Sequence, residues 1–142
     1  MSAAPLDCIR SYFGELRPET MDRLDQHYSP DVEFRDPINH GHGLDDLRLI
    51  FEDLFKQLSD VRIDVTSASG NAETGFLRWT MNYRFRGKAR TLEGVSQFTF
   101  GSDGKVARQE DFWDAAFGVY AEFPLVGATL RGLRKVVRVA GG

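Results

Sequence analysis

Two aspartates and a tyrosine are the residues of this chain best suited to moving a proton. Asp36 ends the alternating run Val32-Glu33-Phe34-Arg35-Asp36. A period of two puts Val32, Phe34 and Asp36 on one face of a strand. A carboxylate among apolar neighbours loses solvation, so its pKa rises and it can act as a general base or acid near neutral pH. Asp111 shares a strand face with Ala107, Gln109 and Trp113 by the same parity. Two carboxylates converging on one apolar space tend to share a proton, which leaves one acid and one base. Tyr12 can donate its hydroxyl to a substrate oxygen from the face of a helix. Each residue also has a plain structural reading. These are an Asp-Pro turn facing water for Asp36, a salt bridge to an arginine for Asp111, and an ordinary buried hydrogen bond for Tyr12.

Other polar residues carry weaker chemistry. His40 and His42 stand two apart with Asn39 in a glycine-rich stretch. That spacing is not the one a helix uses to bind zinc, and the one cysteine, Cys8, is distant, so a loop at a pocket mouth is expected and no metal. Cys8 has no evident base beside it in sequence. Phe34, Trp79, Met81, Tyr83, Ser96, Gln109, Trp113 and His40 are the candidate ligand-lining residues, with simple core packing as the alternative for the aromatic ones.

Elements must position these groups. Leu6, Ile9, Phe13 and Leu16 follow helical spacing, with Tyr12 on the same face. Pro18 opens a second short helix with Met21, Leu24 and Tyr28 inward, ended by Ser29-Pro30-Asp31. Val32–Asp36 reads as a strand and residues 39–43 as a loop. Leu47, Ile50, Phe51, Leu54, Phe55 and Leu58 mark a helix over residues 44–58. Four antiparallel strands are expected next: around Val61–Val65, Leu77–Arg86, Leu92–Phe100 and Val106–Trp113. Gly87-Lys88 and Asp103-Gly104 are turn signals. Asp114 can cap a final helical segment, and an amphipathic helical tail is expected over about 126–138. Helices that precede a meander must cover one face of its sheet. The expected fold is therefore one α+β domain spanning 1–142. In it a curved antiparallel sheet wraps the N-terminal helices as a cone around an apolar pocket.

Composition narrows the function. The 142 residues suit one domain, 42% are hydrophobic, and 11 phenylalanines promise an aromatic core. A formal charge of −3 and a pI of about 5.6 give no basic face for nucleic acid. A single cysteine fits a reducing compartment. No run of ~20 apolar residues predicts a membrane span, and the first residues lack the order of a signal peptide. A cytoplasmic location is expected.

Three stretches carry a family resemblance. They are Tyr28-Ser29-Pro30-Asp31-Val32-Glu33-Phe34-Arg35-Asp36-Pro37, then Phe98-Thr99-Phe100 with Asp103-Gly104-Lys105-Val106, and Asp111-Phe112-Trp113-Asp114. In this order they resemble the nuclear transport factor 2-like superfamily, in its ketosteroid isomerase-like and SnoaL-like polyketide cyclase branch, up to about Pro124. The resemblance implies a cystatin-like roll. Ketosteroid isomerases use an aspartate base with an oxyanion hole of one tyrosine and one protonated aspartic acid. Asp36 and Tyr12 fall where the base and the tyrosine would lie, but Ser96 occupies the place of the second acid, and a serine hydroxyl is a weaker donor to a developing enolate. Limonene-1,2-epoxide hydrolase, a second relative by resemblance, uses an aspartate–arginine–aspartate set. Asp111 resembles one of those aspartates and Arg78 lies near the arginine's place, but Thr80 replaces the other aspartate. Alternation also turns Arg78 away from the apolar face, unless a bulge reverses it.

Two functions stay open. One is a cofactor-free isomerase, cyclase or hydratase acting on a small apolar or polycyclic molecule, with Asp36 moving the proton and Asp111 and Tyr12 holding or protonating an oxygen. Epoxide hydrolysis ranks below these. The other is a binding or carrier module that uses the same pocket without chemistry. The outer sheet face is expected to pair with a second copy as a homodimer.

Overall fold

Chain parity and helical spacing lead to three helices and six strands in a computed structural model, which describes residues 4–114. Helix α1 spans Pro5–Gly14. Its Pro5 occupies the first turn, where a missing N–H costs nothing, and Ile9, Tyr12 and Phe13 are buried. A 3-10 turn follows over Pro18–Arg23, then a single turn of helix, α2, over Leu24–His27. The expected second helix is thus mostly the tighter 3-10 form.

Strand β1 runs over Tyr28–Arg35. It starts earlier than the sequence reading placed it, straight through Ser29-Pro30-Asp31. Tyr28 is therefore a strand residue and shares the buried face with Val32 and Phe34. His40–His42, expected as a loop, is a short strand, β2, which pairs antiparallel with β1. Helix α3 covers Leu44–Gln57. Asp45 and Asp46 complement the positive end of its dipole, and the Asp46 carboxylate accepts the His42 backbone N–H at 2.9 Å.

Strands β3 (Ser59–Gly70), β4 (Thr74–Phe85), β5 (Lys88–Phe100) and β6 (Val106–Phe112) complete the sheet. Its order is β2-β1-β6-β5-β4-β3, curved and unclosed. Strands β3 to β6 form the expected antiparallel meander. The sheet as a whole is mixed, because β6 returns beside β1 in parallel, with Phe34 opposite Gln109.

The helical layer buries the sheet's apolar face through aromatic contacts. Phe13 of α1 meets Phe98 edge-on, with centroids 6.0 Å apart, and tilts against Trp79 at 6.3 Å. Phe51 of α3 meets Phe34 edge-on at 5.7 Å. Such offset and edge-on pairs add to the area they bury. Among the described residues, no helix is long and apolar enough to cross a membrane.

By contact density the chain divides into two units, Met1–Phe112 and Trp113–Gly142. The expected tail over 126–138 lies outside the described residues.

The β4–β5 hairpin closes through Arg86-Gly87, flanked by the pair Phe85 and Lys88. Both central residues have positive φ, 51° and 78°. That is the geometry of a type I′ turn, which favours Asn-Gly. An arginine in the left-handed region is sterically costly. Arg86→Asn is expected to raise unfolding stability by about 0.5–1 kcal/mol, measured by urea denaturation. An unchanged midpoint would show that the turn is not under strain.

Candidate functional site

The site is built where β4, β5 and β6 run side by side. Their register sets Leu77 opposite Ser96, Trp79 opposite Gly94, and Ser96 opposite Asp111. Strand β6 carries a bulge. Arg108 pairs with Thr99 and Val106 with Phe100, so Ala107 is the extra residue. The inward face of β6 is consequently Val106, Gln109 and Asp111. Simple alternation placed Ala107 on that face, and the bulge removes it.

Five inward polar groups from these strands and β1 form one hydrogen-bonded chain. The Trp79 indole N–H donates to Ser96 Oγ at 2.9 Å. The Ser96 hydroxyl donates to Asp111 Oδ1 at 2.5 Å. Gln109 Nε2 donates to the same oxygen at 2.9 Å, and the Tyr28 hydroxyl donates to Gln109 Oε1 at 2.6 Å. Tyr28, Ser96 and Gln109 have no solvent exposure, and buried polar groups of this kind are costly unless paired. Asp111 keeps some solvent access. Its Oδ2 accepts from no group among the described residues.

Burial pushes the Asp111 carboxyl from an ordinary 3.8 up to about 7. The donors Ser96 and Gln109 pull it back down in part, and the charge of nearby Asp36 pushes it up further. Burial also holds the Tyr28 proton well above the usual tyrosine range, helped by the charge of Asp111. Asp111 is therefore a carboxyl with a pKa of about 7 whose Oδ1 is held by two donors.

The other expected residues fall differently. Asp36 follows β1 and is half-buried. Its Oδ1 accepts the backbone N–H of Ile38 at 2.8 Å and of Asn39 at 2.6 Å, and its Oδ2 accepts Asn39 Nδ2 at 3.1 Å. The carboxylate thus holds the β1–β2 turn, while its charge reaches Asp111. The Tyr12 hydroxyl donates to the Thr20 carbonyl at 2.8 Å. Its ring stacks on His27 at 4.2 Å, and burial raises its pKa, partly offset by Arg23. Its proton is committed within the helical layer. Phe34, Met81 and Tyr83 are buried on the inward face. His40 is exposed on β2, so it is an edge-strand residue in place of the expected loop residue. Trp113 follows β6 and belongs to the second unit. Arg78 is exposed, as the alternation of β4 requires.

Sequence reasoning missed two contributors. Tyr28 was assigned to a helix, although residues 28, 32, 34 and 36 share strand parity. Gly94 is the second. A Cβ there would stand 2.5 Å from Cζ2 and Cη2 of Trp79, so the absence of a side chain seats the indole. No group of three or more histidine, cysteine or acidic residues among the described residues could hold a metal.

The fold defines a class: small α+β proteins in which a curved, unclosed mixed sheet is backed by N-terminal helices. The chain belongs to the SnoaL-like domain family, which matches residues 9–109. Solved structures agree on the fold. An NTF2-like protein of unknown function from Exiguobacterium sp. 255-15 superposes with a TM-score of 0.66 at 20% identity, over 78% of this chain and 98% of its own. A hypothetical protein with a ketosteroid isomerase-like fold from Catenulispora acidiphila DSM 44928, in complex with trimethylamine, gives 0.69 at 9% identity, over 85% and 92%. An LEH-like epoxide hydrolase from M. tuberculosis gives 0.67 at 13% identity, over 94% of each chain. No curated protein matches the sequence.

The raised acid makes stability depend on pH. Folded Asp111 keeps its proton up to about 7, whereas the unfolded chain releases it near 3.8. Between those values the folded state binds more protons, so stability falls as pH rises through the window and levels off above it. Asp111→Asn keeps an acceptor for Ser96 and Gln109 without a charge to desolvate. It is expected to be more stable than wild type at pH 8 by about 2 kcal/mol, with the difference gone near pH 4. Denaturation midpoints at the two pH values measure this, and a variant less stable than wild type at pH 8 would contradict a desolvated Asp111.

Proposed function

We propose that the chain binds a small, largely apolar molecule against the inward face of β4–β6 and catalyses cofactor-free proton transfer on it, with Asp111 as the acid–base group. The observation that carries this reading is the asymmetry of one buried carboxyl. Two donors hold Oδ1, Oδ2 is free among the described residues, and the pKa lies at about 7. A general acid–base works best when its pKa is close to the working pH. Asp111 thereby takes the role that the sequence suggested for Asp36. Asp36 assists through its charge, which keeps Asp111 protonated to higher pH.

Isomerisation, cyclisation and hydration next to a carbonyl all need a group that removes a proton at carbon and returns it nearby. Trp79, Met81 and Phe34 supply apolar surroundings, which favour a substrate of that character. Epoxide opening is less well supported: a neighbour in fold has that activity, but exposed Arg78 and the half-buried Thr80 do not complete the set of groups. A second reading, a binding module without catalysis, is favoured by Tyr12 and Asp36, whose polar atoms are already engaged. Pairing of two copies has support in the exposed Phe76 and Phe112, both on the outer sheet face, and sedimentation at micromolar concentration reads it directly.

Deuterium incorporation from heavy water into a panel of cyclic β,γ-unsaturated ketones, followed by NMR, tests the catalytic reading. Wild type is expected to accelerate exchange with an inflection near pH 7, and Asp111→Asn to lose about 10³-fold. Exchange that is equal in the two proteins would leave the binding module.

A further inference from the structure

The donors around Asp111 run in one direction, and the direction starts from a group that cannot reverse. An indole N–H only donates. Ser96 Oγ accepts that hydrogen from Trp79, so the single serine proton is directed onward to Asp111 Oδ1. Ser96 and Trp79 are both buried, and water does not compete for either. Gly94 faces Trp79 across the β4–β5 pair, and any side chain there would collide with the ring that delivers the N–H.

We propose that Trp79 is a positioning residue for Asp111: acting through Ser96, it holds Oδ1 as a permanent acceptor and leaves Oδ2 as the oxygen that exchanges a proton with a bound molecule. This rests on the reading of Asp111 as the acid–base group. It gives Trp79, Ser96 and Gly94 a task other than lining a ligand space. A proton placed on Oδ1 would have to displace a donor from Ser96 or Gln109, whereas one placed on Oδ2 displaces nothing among the described residues. Removing the indole N–H frees the serine hydroxyl to rotate, which weakens its bond to the charged carboxylate. Removing the hydroxyl abolishes that bond. Both changes disfavour the ionised form. The titratable groups that act on Asp111 are Asp36, beyond the end of β1, and Tyr28 on β1. Neither is altered by the changes that test the idea.

The test follows the Asp111 carboxyl carbon and the Trp79 indole nitrogen by NMR across a pH titration of the full chain. With two tryptophans in the chain, the indole signals are readily assigned. In wild type, the Trp79 N–H resonance is expected to shift in step with Asp111, and in Ser96→Ala that coupling should vanish. The Asp111 midpoint is expected to rise by about one pH unit in Ser96→Ala and about half as much in Trp79→Phe. An Asp111 midpoint unchanged in Trp79→Phe, or an indole signal indifferent to the wild-type titration, overturns the relay. Should Trp79→Phe fail to fold, the wild-type indole signal and Ser96→Ala decide the matter. A wild-type Asp111 that titrates near 4, like a solvated aspartate, would instead remove the acid–base reading, and the relay would still be judged by the variant shifts alone.

Discussion

The arrangement depends on the desolvation of one carboxyl. A charge surrounded by protein is costly to keep, so Asp111 needs either donors or a proton. It has both options, because Ser96 and Gln109 donate to one oxygen and burial favours protonation of the group. Burial is the larger influence, and the two donors offset it in part. If the two donors stood alone, the carboxyl would behave as a permanent anion, and if burial stood alone, it would stay neutral. Their opposition leaves the pKa at about 7, the range that the proposed acid–base role requires.

The packing around it serves the same balance. Each donor is itself fixed by a further donor: Trp79 behind Ser96 and Tyr28 behind Gln109. Those two aromatic residues belong to different strands, β4 and β1, which β6 and β5 bring within reach. Aromatic contacts to Phe13 and Phe51 from the helices hold both rings in place. The helical layer therefore reaches the acid indirectly, by limiting how the donors can move. A buried network whose donors are all paired restricts motion in this way, whereas an unpaired buried donor is costly.

Much of this fold was legible in the chain. Alternation in β4 put Leu77, Trp79, Met81 and Tyr83 inward and Arg78 outward, as observed, because a strand's period of two is set by its covalent geometry. Helical spacing in α1 and α3 was equally direct. The second helix was misread because Ser29-Pro30 is a common stop signal, yet here a proline stands inside a strand. The short β2 was missed because three residues carry no periodicity of their own and form a strand only by pairing with β1.

By itself, the sequence determined which side chains could face inward and which residue types were available for acid–base work. Asp111, Gln109 and Ser96 were all identified on that basis. Only the tertiary structure decided that Asp111 is the carboxylate whose pKa is raised to about 7. Asp36 and Asp111 are alike in type and parity, but Asp36 meets backbone N–H groups three residues or fewer away and closes a turn. Asp111 meets Ser96, 15 residues away on β5, as well as Gln109 two residues back on the same face of β6. Desolvation and long-range donors are properties of strand register and packing, and no local pattern encodes them.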